Sequence, residues 1–185
     1  SKGELTGADD WKKIARARSA LCMSRIFVDD TSLTTPMDIL SKCRRLKREQ
    51  KRLDLVMVDY LTLMSSGKRV ENRQQDVSEI SRTMKLAAKE LDVPVLCLSQ
   101  LSRANESRQD KRPILSDLRE SGAIEQDADE VLFLYRDDYY NENSEEKNVA
   151  ECIVSKNRHG ETGTVKLQWL PQYTTFTDRE WKHAE

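Results

Sequence analysis

Two polar residues stand where aliphatic runs break off. In Leu53 to Met64, LDLVMVDYLTLM, the run is interrupted by the carboxylate of Asp59; in Val93 to Gln100, VPVLCLSQ, it ends in the carboxamide of Gln100. An unpaired buried carboxylate costs several kcal/mol or takes up a proton, so the pattern predicts a partner facing Asp59. One partner that suits a carboxylate at the end of a hydrophobic strand is Mg²⁺ bridging the β- and γ-phosphates of a nucleoside triphosphate, the Walker B arrangement. A glutamine ending the neighbouring strand can donate to a γ-phosphate oxygen and register its loss. The alternatives are an aspartate that caps a turn and an ordinary hydrogen-bonded turn glutamine; taken together, the two residues favour a nucleotide site.

Such a site needs a phosphate cradle. The glycines, at 3, 7, 67, 122, 160 and 163, form no G-x-x-x-x-G-K-[ST]. Gly67-Lys68 in SSGKRV follows a strand, yet it has no earlier glycine and no Ser or Thr after the lysine. The expectation is a cradle upstream of Ser1 or in another polypeptide.

The elements that must position these residues follow from periodicity. Trp11, Ile14, Ala17/Arg18 and Leu21 recur at helical spacing behind Asp9 and Asp10, and RIFVDD after them reads as a strand. Thr35, Pro36 and Asp38 form a capping-box start for a second helix with an inner stripe of Met37, Leu40, Cys43 and Leu46. Its basic outer face reads as a solvated surface. Val77, Ile80, Met84, Ala87, Ala88 and Leu91 give a long third helix. The two aliphatic runs and DEVLFLYRD read as strands covered on both faces. The segment 101–117 is a functional surface loop, LRESGAIEQDA a helix broken near Gly122, and DDYYNENSEEKN a mobile acidic connection. AECIVSKNR, HGETG and TVKLQWL form a hairpin, with YTTFTD as a last strand. The sum is an α/β fold, a mostly parallel sheet flanked by helices and finished by an antiparallel hairpin, whose ligands bind beyond the carboxyl ends of the strands.

Composition sets bounds. At 185 residues with 37% hydrophobic content, the chain suits one domain, and a net charge of −1 excludes binding nucleic acid by bulk charge, so any such contact is focused. Cys22, Cys43, Cys97 and Cys152 form no C-x-x-C pair, which points to reduced thiols and no zinc site. No apolar run reaches the ~20 residues that span a bilayer, and no signal peptide is evident, so a soluble cytoplasmic protein without membrane partners is expected.

VMVDYLTLM, VPVLCLSQLSR, SDLRESGAIEQDADEVLFLYRD and SKNRHGETGTVKL, in that order, resemble the ATPase domain of the DnaB family of replicative DNA helicases, from about Asp9 to Asp178. The resemblance implies a RecA-like core, ring-shaped homohexamers that encircle one DNA strand, ATP and Mg²⁺ at subunit boundaries, and primase and a helicase loader as partners at the replication fork. Under it, Asp59 is the Walker B carboxylate and Gln100 the γ-phosphate sensor, while Lys156 and Arg158 are the lysine and arginine finger that enter the adjacent subunit's site. Arg119, Glu120 and Gly122 resemble the loop touching the DNA backbone, and Arg73 belongs to a second channel loop. A closed ring repeats a few phosphate contacts per subunit, which fits the near-neutral charge. The family's P-loop, catalytic glutamate and N-terminal domain have no counterpart in these residues. The chain is therefore expected to be the C-terminal part of the domain, 1–185, inactive alone, with a sheet gapped between VPVLCLSQ and DEVLFLYRD. A RecA-type recombinase shares the strand-end Asp and Gln, and a non-catalytic module that binds DNA or a ring partner is a third possibility; DLRESGAIEQDAD disfavours the recombinase.

Overall fold

Acidic residues lead the first helix, α1 (Ala8–Met23), where Asp9 and Asp10 complement the positive end of the helix dipole. In the computed structural model, which describes residues 7–32, 34–67, 72–118 and 122–179, α1 belongs to the smaller of two compact units, Ser1–Ser32; the larger is Leu33–Glu185. The strand expected over Arg25–Asp30 does not form. A strand exists only through a ladder with a neighbour, and this stretch has none among the described residues, so Ile26, Phe27 and Val28 remain exposed.

The larger unit begins with α2 (Pro36–Gln50). Its start is the expected capping box: the Thr35 hydroxyl accepts from the Asp38 N–H, and the Asp38 carboxylate accepts from the Thr35 N–H at 3.0 Å. Met37 points outward, and the inner face is made by Ile39, Leu40 and Cys43. α3 (Arg73–Leu91) carries the predicted stripe, with Val77, Ile80, Met84, Ala87 and Leu91 buried and Ile80 fully so. Leu40 of α2 packs with Ala87, Leu91 and Val93, and Arg44 forks onto Glu90, with Nη2 donating at 2.6 Å, to tie the two helices on their outer side.

Against these helices lie β1 (Val56–Val58) and β2 (Val95–Cys97), paired in parallel with Val58 opposite Cys97. Burial is one-sided. Val58 is covered by Leu61, Met64, Ile80 and Met84, whereas Leu55, Met57, Leu96 and Leu98 are exposed.

The remaining strands form a second sheet: β3 (Glu130–Tyr135), β4 (Val149–Asn157), β5 (Gly163–Leu170) and β6 (Thr175–Asp178), antiparallel throughout. No ladder joins β2 to β3 among the described residues, so the break falls where a gap is expected, and parallel pairing is confined to β1 and β2. β3 is not covered on both faces. It alternates, with Val131, Phe133 and Tyr135 buried and Glu130, Leu132 and Leu134 outward, the pattern of a sheet packed on one side. Short α4 (Gly122–Asp127) sits between the sheets in sequence, and its Ile124 contributes to the clusters on both Ile80 and Phe133.

The acidic connection after β3 is ordered, contrary to expectation. α5 (Asp137–Tyr140) opens it, Tyr140 stacks on Tyr135 with centroids 5.8 Å apart, and the Asn148 N–H donates to Asp138 at 2.9 Å. Ring stacking and short Asx-type bonds supply local order that composition alone conceals.

Candidate functional site

The parallel register brings the carboxyl ends of β1 and β2 side by side. The Leu98 N–H donates to the Val58 carbonyl, and the Leu61 N–H to the Leu98 carbonyl, both at 2.9 Å. Asp59 follows the last ladder pair. Its side chain is exposed rather than buried, with no hydrogen bond or ion pair among the described residues. The aliphatic run bends there: Val58 enters the core from the strand, Leu61 and Met64 re-enter it from the 3₁₀ turn Leu61–Leu63, and Asp59, joined to Tyr60 by a cis peptide bond, is left outside. Gln100, three residues past β2, is likewise exposed and borders a cavity of about 270 Å³ shared with Thr62, Arg73, Ser102, Leu118 and Ile124.

A free carboxylate beside a free carboxamide suits a hydrated Mg²⁺ and a phosphate oxygen. Mg²⁺ is held by one or two carboxylates together with substrate phosphates and water, not by a cage of protein ligands. Among the described residues no cluster of three metal-ligating side chains exists. A lone exposed carboxylate fits a cation whose remaining ligands are phosphate oxygens and water.

Arg73 is the first residue of α3, and its guanidinium is engaged within the fold. It donates to Asp76 at 2.7 Å, to the Met64 carbonyl at 3.3 Å and to the Thr62 carbonyl. Asp76, almost fully buried, also accepts the Ser66 N–H at 2.9 Å. Burial pushes its carboxyl up, but the Ser66 amide and Arg73 outweigh burial and hold it below the usual range. The native state thus binds fewer protons than the unfolded chain in acid. This contribution is complete above the unfolded value of about 3.9 and is lost as pH falls through the folded one. Asp129, Asp137 and Asp138 are shifted in the same direction. The midpoint of urea unfolding is expected to be flat from neutrality to about pH 5 and to fall below about pH 4, with Asp76→Asn flattening part of the acid limb. A midpoint that rises below pH 4 contradicts this account.

Arg119 and Glu120 lie outside the described residues. Gly122 begins α4 with nothing within 4 Å of where a Cβ would stand, so open space surrounds it. The approach to the loop is anchored. Asp117, 2% exposed, accepts both Nη groups of Arg108 at 2.9 and 2.7 Å and the Ile114 N–H at 2.9 Å. Its carbonyl accepts the Ser102 N–H at 3.0 Å, and Leu101 packs on Leu118. The chain leaving Gln100 is thereby bonded to the residues that precede position 119. The Arg108–Asp117 pair has no local sequence signal, because eight residues, Pro113 among them, lie between its members.

Lys156 and Arg158 do not reach Asp59 or Gln100 by any hydrogen bond or ion pair among the described residues; they close on α4. Lys156 Nζ donates to the carbonyls of Glu125 at 2.5 Å and Ala128 at 2.8 Å. Arg158 Nη2 donates to the Gln126 carbonyl at 2.9 Å, Nη1 lies 3.4 Å from the Asp129 carboxylate, and its N–H donates to the Asp129 carbonyl at 2.9 Å. Cations at the carbonyl end of a helix satisfy acceptors that have no intrahelical partner and oppose the negative end of the dipole. The ladder slips beside Lys156, between Val131 and Leu132, a bulge of the kind that re-aims a side chain. Asp129 also pairs with Lys85 of α3, whose hydrogen bond is the main reason its carboxyl lies below the ordinary range. The sequence reading missed Lys85 and Asp129. The only hint was an aspartate directly preceding a strand that pairs with SKNR.

Comparison with known proteins adds the following. Residues 1–178 match the family model of the DnaB-like helicase C-terminal domain. The replicative DNA helicase DnaB of Geobacillus stearothermophilus is 53% identical over 184 residues, 99% of this chain and 40% of that protein. A solved DnaB-like replicative helicase, described with its interactions with primase, superposes with a TM-score of 0.91 at 45% identity, covering 97% of this chain and 44% of the other. A solved ATPase domain gives the same TM-score at 46% identity, covering 95% and 62%. The chain spans about 40% of the length of the curated relative.

Proposed function

Because this chain belongs to the DnaB-like helicase C-terminal domain family and has its RecA-like fold, we propose that it works within a homohexameric replicative DNA helicase that hydrolyses ATP to move along single-stranded DNA. The observation that carries the reading is the pair of unpaired polar side chains, Asp59 and Gln100, at adjacent carboxyl ends of parallel strands. Asp59 orders Mg²⁺, directly or through water, and Gln100 donates to the γ-phosphate. Bound Mg²⁺·ATP supplies a phosphoryl group whose leaving and attacking oxygens need charge compensation. Lys156 and Arg158, which make no hydrogen bond or ion pair to this pair among the described residues, serve the neighbouring subunit's site. Arg119 pairs with a DNA phosphate, Glu120 offers its backbone N–H, and Gly122 admits close approach of the strand; Arg73 holds the base of the second channel segment. Primase and a loader are the expected protein partners, and the replication fork in the cytoplasm the place of action.

The test is a graft. The 184 aligned residues replace the matching segment of the Geobacillus stearothermophilus relative. The chimera is expected to form rings, hydrolyse ATP faster with single-stranded DNA and unwind a forked duplex. The 185-residue chain alone is expected to show no turnover, having no G-x-x-x-x-G-K-[ST]. Strand exchange without unwinding favours a recombinase, and rings that bind DNA with no hydrolysis favour a binding module.

A further inference from the structure

We infer that Asp129 is a positioning residue for the Arg158 finger, holding the guanidinium ready for the neighbouring subunit's nucleotide. The inference rests on the finger reading of Arg158 and adds a residue that neither the resemblance nor the strand-end pair supplies.

The geometry carries it. Arginine commits substantial rotamer freedom when its head is fixed, and an arginine at the end of a strand has no packing to fix it. Two contacts do so here, the Gln126 carbonyl on Nη2 and the Asp129 carboxylate 3.4 Å from Nη1, while the main-chain N–H of Arg158 donates to the Asp129 carbonyl and holds the backbone beside them. The side chain nevertheless remains 49% exposed. Each Nη carries two hydrogens, so donors remain for an incoming oxyanion. Asp129 is itself fixed by Lys85, on a helix whose Ile80 and Met84 lie in the core. The carboxylate therefore relates the finger to the rigid part of the molecule, and at 3.4 Å it orients the guanidinium without a hydrogen bond that must be broken for engagement. The plainer role, a staple between α3 and the start of β3, uses Lys85 alone and gives no reason for the second cation.

The test uses the hexameric chimera and four subunit types: Asp129→Asn, Asp129→Glu, Arg158→Ala and Asp59→Asn. Asp129→Asn is expected to lower kcat for DNA-stimulated ATP hydrolysis roughly tenfold or more, with KM within about threefold, because a misaimed group loses rate before it loses ground-state binding. Asp129→Glu keeps the charge and displaces it, and a drop of about threefold or more is expected with Tm unchanged. Should Asp129→Asn fail to assemble, the Glu variant decides. Mixed rings supply the readout that a staple would not move. Asp129→Asn subunits combined with Asp59→Asn subunits are expected to recover turnover above either parent, since intact fingers then face intact strand ends. A kcat within twofold of the parent in both Asp129 variants overturns the inference, as does loss without recovery in mixed rings. If Arg158→Ala itself keeps full turnover, the finger reading fails and takes this inference with it; if Arg158→Ala is dead while the Asp129 variants are normal, the inference alone fails.

Discussion

Arg158→Ala in the assembled chimera lowers kcat by ~10³-fold or more and leaves ATP binding within a few-fold, because a fixed guanidinium compensates charge that develops on the transferred phosphoryl group only in the transition state. Two considerations make the size of this loss interpretable. The contacts the side chain makes within its own subunit are weak: with Arg158 and Asp129 each nearly half exposed, their pair is worth at most about 1 kcal/mol after solvent screening. Folding should therefore survive, and once ring assembly is confirmed by mass, a dead ring is a chemical result rather than a structural one. With Arg158 proposed as the finger of the neighbouring site, the loss is expected to fall on that site. Rings mixed from Arg158→Ala and Asp59→Asn subunits should regain turnover; a mixture as inactive as both parents would mean that Arg158 serves its own chain. Lys156→Ala is the informative companion. Lys156 donates to the Glu125 carbonyl of α4 and to the Ala128 carbonyl just past it, so its removal should cost stability as well as rate.

Why Lys156 and Arg158 could be singled out from sequence while their contacts could not is a matter of range. Helices α2 and α3 were legible because capping and 3.6-residue periodicity are local, and the one error, Met37 for Ile39, is a rotation of the inner face by a fraction of a turn. The places of Asp59 and Gln100 at strand ends were legible for the same reason: Asp59 directly follows Leu55-Val56-Met57-Val58, and Gln100 follows Val95-Leu96-Cys97-Leu98 after one serine. The burial of those runs was not. An aliphatic strand declares that it can be covered, not that this chain covers it, and Leu96, Leu132 and Leu134 stand exposed on the two sheets. RIFVDD failed for a related reason, since a ladder requires a partner and strand propensity supplies only half of one. The partners of Lys156 and Arg158 lie about thirty residues away on a six-residue helix and the two residues after it, and nothing in SKNR announces them. Asp117 and Asp129 are the same case: buried or shared carboxylates chosen by tertiary contacts, invisible to any window along the chain.

Asp59→Asn is expected to be nearly silent in the fold and severe in catalysis, a separation the exposed carboxylate makes possible. Had Asp59 been buried against backbone amides, its substitution would have disturbed the end of β1 and confounded any loss of activity. It is exposed and without a hydrogen bond among the described residues, so unfolding free energy should change by no more than about 0.5 kcal/mol. The catalytic consequence follows from charge. Asparagine keeps an oxygen at the same reach but removes the negative charge that orders a hydrated Mg²⁺, and a correctly placed metal contributes several kcal/mol to phosphoryl transfer, so a fall in kcat of ~10²- to 10³-fold is expected in the chimera. Because the defect is weaker placement of the ion rather than loss of the cradle, raising free Mg²⁺ should recover part of the rate, whereas it should do nothing for Arg158→Ala. Asp54 is the control: it lies on the same run, pairs with Arg52 at 2.6 Å on the surface, and as Asp54→Asn should leave hydrolysis unchanged. Hydrolysis by Asp59→Asn rings at the parent rate and the parent Mg²⁺ dependence would remove the carboxylate from the reaction. The strand-end pair would then be reduced to Gln100, which can donate to a phosphate but brings no negative charge to a cation.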